Sequence, residues 1–106
     1  MIQSTNEKQT TNKYYLLASK NLEKKDYKLA KSNLLKYLKK NQDHQALNLL
    51  GICHLYVKEY LEAAKVFKEL VSNKITSDSI FNNYGNALKN LKEFNAASII
   101  LNNQLN

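Results

Sequence analysis

The chain of 106 residues contains no proline, arginine or tryptophan, and only two glycines and one cysteine. Few positions therefore force the backbone to turn, so the elements must be located from their apolar pattern. The single cysteine, Cys53, excludes an internal disulfide and fits a reducing compartment. No apolar run approaches the roughly 18 residues of a membrane-spanning helix. The opening residues lack the layout of a secretory signal. We therefore expect one soluble, cytoplasmic domain with no transmembrane segment.

The net charge is +7, and all sixteen cations are lysine. Residues 1–43 carry a net charge of +6 and residues 44–106 only +1. Such a basic half can attract nucleic acid or an acidic membrane surface. Base reading and phosphate clamping, however, usually need the planar guanidinium of arginine. The fifteen asparagines beside the lysines also fit a bias in the coding sequence. Binding to nucleic acid or acidic lipid therefore stays the less favoured function.

The sequence lacks the common signatures of catalysis and metal binding. It contains no CxxC pair, no HExxH, no Gly-rich phosphate loop and no histidine pair four residues apart. Cys53 is predicted to be a packing residue, and His54 an interior or rim histidine whose hydrogen bonds are satisfied. We therefore expect no enzymatic activity, no metal and no cofactor.

The chain repeats itself with a period of 33 or 34 residues. A lysine, an acid and an aromatic residue recur at 25–27, 58–60 and 92–94, and Gly51 recurs as Gly85. A period of this length indicates stacked helical units, each of which buries its apolar face on the next. Stacked helical pairs form binding surfaces more readily than catalytic pockets.

Between these triplets the apolar residues follow the i, i+3, i+4, i+7 spacing of amphipathic helices. The pattern predicts six helices in three pairs, with repeats at about 11–43, 44–77 and 78–106. Residues 1–10 are polar and aperiodic, so we expect a disordered tail there. Asp43 and Ser77 are predicted helix caps. Gly51 and Gly85 lie inside helices, where glycine costs about 1 kcal/mol relative to alanine. We expect both to allow close approach of the partner helix, as Ala18 does in the first repeat.

These positions resemble the tetratricopeptide repeat, in which large and small apolar residues alternate on two helices. The resemblance covers residues 10–105. It departs from the family pattern by lacking proline between repeats and by placing Asn21 and His54 where an aromatic residue is common. It implies an all-α, right-handed superhelical solenoid of three antiparallel helix pairs. The residues that carry it are Tyr14, Leu17, Ala18, Asn21, Ala30, Leu34 and Tyr37, then Leu47, Leu50, Gly51, His54, Ala63, Phe67 and Leu70, then Phe81, Tyr84, Gly85, Leu88, Ala97 and Leu101.

In this family the first helix of each pair lines a concave groove, so the resemblance also implies a binding site. Leu49, Ile52 and Tyr56 are its expected apolar anchors, covered either by a partner or by neighbouring side chains. The asparagines resemble a ladder that pairs with peptide backbone, although a chain so rich in asparagine would place some on any face. The predicted partner-binding residues are Tyr15, Asn48, Leu49, Ile52, Tyr56, Asn82, Asn83, Asn86 and Asn90.

The function implied is protein–protein interaction, with a peptide or helix of another protein held in the groove of a scaffold or adaptor. A small chaperone for a secreted or assembling partner is the alternative. The last helix has no successor in the sequence, and Ala96, Ile99 and Ile100 would be partly bare. We therefore also expect a tendency to self-associate through that helix.

Overall fold

A computed structural model of the chain describes the backbone of residues 2–105 and the side chains of residues 12–93 and 95. This described part is all-α and contains no strand. Connections of three or five residues join successive helices, and each helix packs on the next. The helices are α1 (Ile2–Glu23), α2 (Tyr27–Leu38), α3 (His44–Tyr56), α4 (Tyr60–Ser72) and α5 (Asp78–Leu105).

Three helices have an N-cap residue whose side chain accepts hydrogen bonds from free backbone N–H groups of the first turn. The Asp43 carboxylate accepts two N–H groups from the first turn of α3, at 3.0 and 3.1 Å, and also the Tyr37 hydroxyl at 2.9 Å. The Ser77 hydroxyl accepts one N–H from the first turn of α5 at 3.1 Å. Both predicted caps are confirmed. Asp26 caps α2 in the same way, at 3.2 Å.

Two residues after each of α1, α3 and α4 ends, a lysine has a left-handed backbone. The φ angles are 60° at Lys25, 67° at Lys58 and 63° at Lys74. The lysine N–H donates to the carbonyl three residues back, and the following N–H donates to the carbonyl five residues back. This is the Schellman arrangement, in which glycine is usual because it has no Cβ to clash. No glycine marks these turns in the local sequence.

We expect Lys74→Gly to raise the free energy of unfolding by about 0.5–1 kcal/mol. Glycine removes the steric cost of a left-handed L-residue, which exceeds the backbone entropy that it adds to the unfolded chain. Lys68→Gly, at an exposed position inside α4, should instead lower stability by nearly 1 kcal/mol. Urea unfolding followed by circular dichroism checks both, and equal effects would contradict this account of the turns.

The helices enclose two hydrophobic cores. The first lies among α1, α2 and α3, and the second among α3, α4 and α5. Leu47 and Val66 contact both cores. The buried apolar residues are Ala18, Ala30, Leu34, Tyr37, Ala46, Leu50 and Cys53 in the first core, and Ala63, Ala64, Phe67, Leu70, Ile80 and Ala87 in the second.

Gly51 lies at the closest approach of α3 and α4. A Cβ at this position would lie 2.8 Å from the Phe67 ring and 3.0 Å from a methyl of Val66. The prediction that Gly51 lets the paired helix approach is therefore confirmed. Ala18 is buried in the equivalent place on α1, and Ala30 and Ala63 are the buried small residues that follow on α2 and α4.

The prediction of six helices is not confirmed, since the described part of the chain has five. The predicted fifth and sixth helices form one continuous helix, α5, which passes through Lys92 with no left-handed residue. The expectation for Gly85 is wrong, because nothing lies within 4 Å of a Cβ built there and the residue is exposed. Both differences have one cause, namely that α5 does not turn back to pack on itself.

Helix α1 begins at Ile2, so its backbone covers the residues for which we expected a disordered tail. The boundary at residue 10 stays a prediction, because the side chains of residues 2–11 lie outside the described part. The expected self-association through Ala96, Ile99 and Ile100 also falls on side chains outside it. No helix in the described residues combines the length and the apolar character needed to cross a bilayer.

Candidate groove site

A recess of about 270 Å³ lies where the C-terminal end of α3 meets α5. We call it the asparagine pocket. Four of the nine predicted site residues meet there, one aromatic and three amides. Its lining carries one ammonium group and no carboxylate. The residues that line it are Leu55, Tyr56, Lys58, Tyr60, Asn83, Asn86 and Asn90.

Tyr56 lines the asparagine pocket, and one face of its ring packs against another aromatic side chain. The ring stacks on that of Tyr27, with 4.2 Å between centroids and 4° between planes. Tyr56 is nevertheless 60% exposed, because it ends α3. A ring fixed on one face and open on the other is suited to contact a ligand, because little side-chain entropy remains to be lost.

The asparagines lie along one side of α5 at intervals of three and four residues, which brings them onto one face. The Asn90 amide donates to the Asn86 side-chain oxygen at 2.9 Å and to the Asn86 carbonyl at 2.8 Å. This pairing orients the Asn86 amide nitrogen and the Asn90 amide oxygen for further bonds. Asn83 adds a third amide one turn before Asn86. The face can thus both donate to and accept from a peptide backbone.

The other predicted site residues lie elsewhere. Leu49 packs against the first core and Ile52 against the second, and both are half-buried. Tyr15 packs on Tyr37, with ring centroids 5.1 Å apart. Asn82 is exposed outside the asparagine pocket, and the half-buried Asn48 has a buried side-chain oxygen with no hydrogen-bond partner. Of the three expected apolar anchors, Tyr56 alone is exposed.

Sequence reasoning missed Lys58 and Tyr60 as pocket residues. Both belong to the recurring lysine–acid–aromatic triplet, which we took only as evidence of the repeat. The turn that starts α4 follows Tyr56 directly, so it brings both residues to the rim. A signal was present in the sequence, since residues next to the end of a groove helix share its surface.

Glu59 lies between Lys58 and Tyr60, directly before α4, and its carboxylate links this turn to α2 and α3. Its Oε1 atom accepts from the Lys31 ammonium of α2 at 2.8 Å and lies 2.9 Å from Nδ1 of His54 in α3. The residue also precedes α4 without capping it, because its carboxylate is already bonded. The hydrogen bonds from Lys31 and His54 hold the pKa of the Glu59 carboxyl below its ordinary value of 4.5.

His54 is thus a rim histidine whose hydrogen bond is satisfied, as predicted. In the first repeat, Asn21 has the same place and accepts from Asn33 at 2.8 Å.

Stability should depend on pH through Glu59. Its folded-state pKa is lowered, so its contribution is complete above pH 4.5 and is lost as the pH falls through the folded-state pKa. Glu59→Gln should cost about 1 kcal/mol or less at pH 7, because the carboxylate side chain is 40% exposed. The deficit relative to the unsubstituted chain should shrink towards pH 3. Glu62→Gln is the matched control, since its partner Lys65 lies 3.8 Å away on the exposed face of α4, and it should show no such dependence. A Glu59 deficit that persists at pH 3 would contradict this assignment.

Cys53 is fully buried, and burial raises the pKa of its thiol to about 11. It is a packing residue of the first core, as predicted. Among the described side chains, no three histidine, cysteine or acidic groups come together in a way that could hold a metal ion. The asparagine pocket itself is lined by amides, two aromatic rings, one leucine and one ammonium group.

Comparison with known proteins adds no relative to this geometry. No protein-family model, no curated protein and no solved structure matches the chain. The resemblance to the tetratricopeptide repeat stays a prediction.

Proposed function

We propose that the chain is a protein-interaction module that binds an extended peptide segment of another protein in its asparagine pocket. The observation that carries this proposal is the meeting of Tyr56 with Asn83, Asn86 and Asn90 around one recess. These residues come from different helices and from different repeats of the sequence. A fixed aromatic ring beside a row of amides offers a peptide both apolar contact and backbone hydrogen bonds.

The architecture we propose around this site is a tetratricopeptide-like solenoid. Two helix pairs, α1–α2 and α3–α4, follow the repeat in sequence and in packing, and α5 begins a third. In such a solenoid α1, α3 and the first half of α5 would line one surface. Tyr56 and the α5 asparagines would lie on it, whereas Leu49 and Ile52 mainly hold the helices together.

Binding would rely on main-chain groups of the partner and only weakly on its sequence. Amide side chains pair with backbone N–H and C=O whatever the neighbouring side chains are. Lys58 at the rim adds a preference for an acidic residue, because no carboxylate in the lining competes for it. Each hydrogen bond contributes about 0.5–1.5 kcal/mol, so several are needed for micromolar affinity.

The test is selection from a random peptide library displayed on phage, with affinities of the selected peptides measured by fluorescence anisotropy. Tyr56→Ala and Asn86→Ala should each weaken a selected peptide about tenfold, which corresponds to about 1.4 kcal/mol. Asn82→Ala is the matched control, since it removes an amide from α5 outside the asparagine pocket, and affinity should stay within about twofold.

Salt separates this function from charge-driven binding. Capture through the asparagine pocket should change little between about 50 and 200 mM salt, whereas binding through the lysines of residues 1–43 should collapse over that range. Selected peptides that bind Tyr56→Ala and Asn82→Ala with the affinity of the unsubstituted chain would contradict the proposed site.

A further inference from the structure

Helix α5 exposes three positions whose equivalents in helix α3 are buried or half-buried. Phe81 is 51% exposed, Leu88 is 45% exposed, and Gly85 between them is exposed with nothing within 4 Å of a Cβ. We call these three residues the α5 slot. The positions 34 residues earlier are covered by α4 and by the turn before it: Leu47 packs in both cores, Gly51 is buried, and His54 bonds to Glu59.

The element that covers those positions in α3 has a recognisable pattern. Helix α4 brings Ala63 into the second core, and it places Val66 and Phe67 against Gly51. The residues 34 positions later are Ala97, Ile100 and Leu101, again one small and two large apolar residues. The chain therefore encodes a segment with the pattern that fills the slot of α3.

The sequence also contains a candidate turn that would bring residues 97–101 onto the α5 slot. Lys92 stands 34 residues after Lys58, and an acid and an aromatic residue follow it, as they follow Lys58 and Lys25. Both earlier lysines adopt a left-handed backbone and reverse the chain. In the continuous α5, Leu101 lies sixteen residues after Gly85, a rise of about 24 Å, so the segment reaches the slot only if the helix breaks.

We propose that the α5 slot is the docking site of this chain's own residues 97–105, reached through a turn at Lys92. Helix α5 then has two arrangements, the continuous helix seen here and a hairpin that repeats the α3–α4 packing. The chain's own segment is favoured over a second copy because a three-residue tether gives it an effective concentration in the millimolar range. This inference is independent of peptide binding in the asparagine pocket.

A disulfide tests the docked arrangement directly. The contact of 3.0 Å between a Gly51 Cβ and Val66 Cγ1 puts the two Cβ atoms within about 4.5 Å, inside the range for a disulfide. Gly85→Cys with Ile100→Cys reproduces this pair, in a Cys53→Ala background that leaves no other thiol. Leu101 stands where Phe67 does and lacks its ring, so the introduced side chain has room.

Under mild oxidation at micromolar concentration, we expect an intrachain disulfide, seen as a faster-migrating monomer on non-reducing gels. Asn82→Cys with Ile100→Cys is the matched control and should crosslink at least about tenfold more slowly. Circular dichroism of the reduced variants verifies that both are folded. Absence of crosslinking, or crosslinking only between chains, would overturn the proposal.

Substitutions at Lys92 provide a second measurement. Lys92→Gly favours the turn and should speed formation of the intrachain disulfide several-fold, whereas Lys92→Ala favours the continuous helix and should slow it. Rates that do not differ between these two variants would show that no turn at Lys92 is involved, and would overturn the proposal.

Discussion

Phe67→Ala should remove a large part of the stability of the chain. Phe67 is completely buried, contacts the position of Gly51 and is the largest fully buried side chain among those described. Truncating a buried phenylalanine costs about 3–5 kcal/mol, because transfer free energy is lost and a cavity remains. A domain of this size has a free energy of unfolding of about 5–15 kcal/mol, so the variant should be much less stable than the unsubstituted chain. Thermal unfolding by circular dichroism should show a fall in Tm of roughly 15–30 °C.

The control for this prediction removes the same side chain from an exposed site. Phe81 is 51% exposed on α5, so Phe81→Ala should cost less than about 1 kcal/mol. The two variants have equal composition, and only the burial of the lost ring differs. Comparable falls in Tm would mean that the second core is not built around Phe67.

Gly51→Ala and Gly85→Ala should change stability in opposite directions. Both substitutions replace a helical glycine and gain about 1 kcal/mol of helix propensity. At Gly51 the new Cβ would meet the Phe67 ring at 2.8 Å, and overpacking of this kind costs about 1–3 kcal/mol. At Gly85 it meets nothing within 4 Å, so the gain remains.

The difference between the two glycine variants isolates the packing cost, because the helix propensity is common to both. We expect Gly85→Ala to be about 1–3 kcal/mol more stable than Gly51→Ala in urea unfolding. The same ordering should hold in thermal melts. If Gly51→Ala stabilises the chain as much as Gly85→Ala does, then α4 does not approach α3 as closely as described.

Much of the fold could be predicted where local pattern and packing agree. The repeat period located α2, α3 and α4, and the caps at Asp43 and Ser77 followed from short oxygen side chains before apolar stripes. Gly51 was identified from its cost inside a helix. In each case one residue type has a strong physical preference that few contexts override.

The course of α5 could not be predicted, because the triplet at 92–94 matches the two triplets that do turn. Lysine has no preference for the left-handed backbone, so the reversals at Lys25 and Lys58 come from the packing of the helices on either side. Lys92 has the same neighbours in sequence and lies inside a helix. Local sequence therefore permits both courses.

Helical phase predicted some residues of the candidate site and missed others. Helical phase places Tyr56, Asn83, Asn86 and Asn90 on one surface, and these four meet in the asparagine pocket. Phase alone does not say how deeply neighbouring helices cover a face, so the sequence left open whether neighbouring side chains cover Leu49 and Ile52, and both are half-buried. Lys58 and Tyr60 reach the pocket through a turn, which helical phase does not describe.

Leu47 and Val66 pack against both cores, and this affects how the molecule unfolds. Arrays of helical units can unfold one unit at a time when contacts between neighbouring units are weak. Here both side chains belong to both halves, so neither half can lose its order without exposing surface that the other half needs. Denaturation should accordingly be a single all-or-none event, with tyrosine absorbance and backbone ellipticity tracing the same curve.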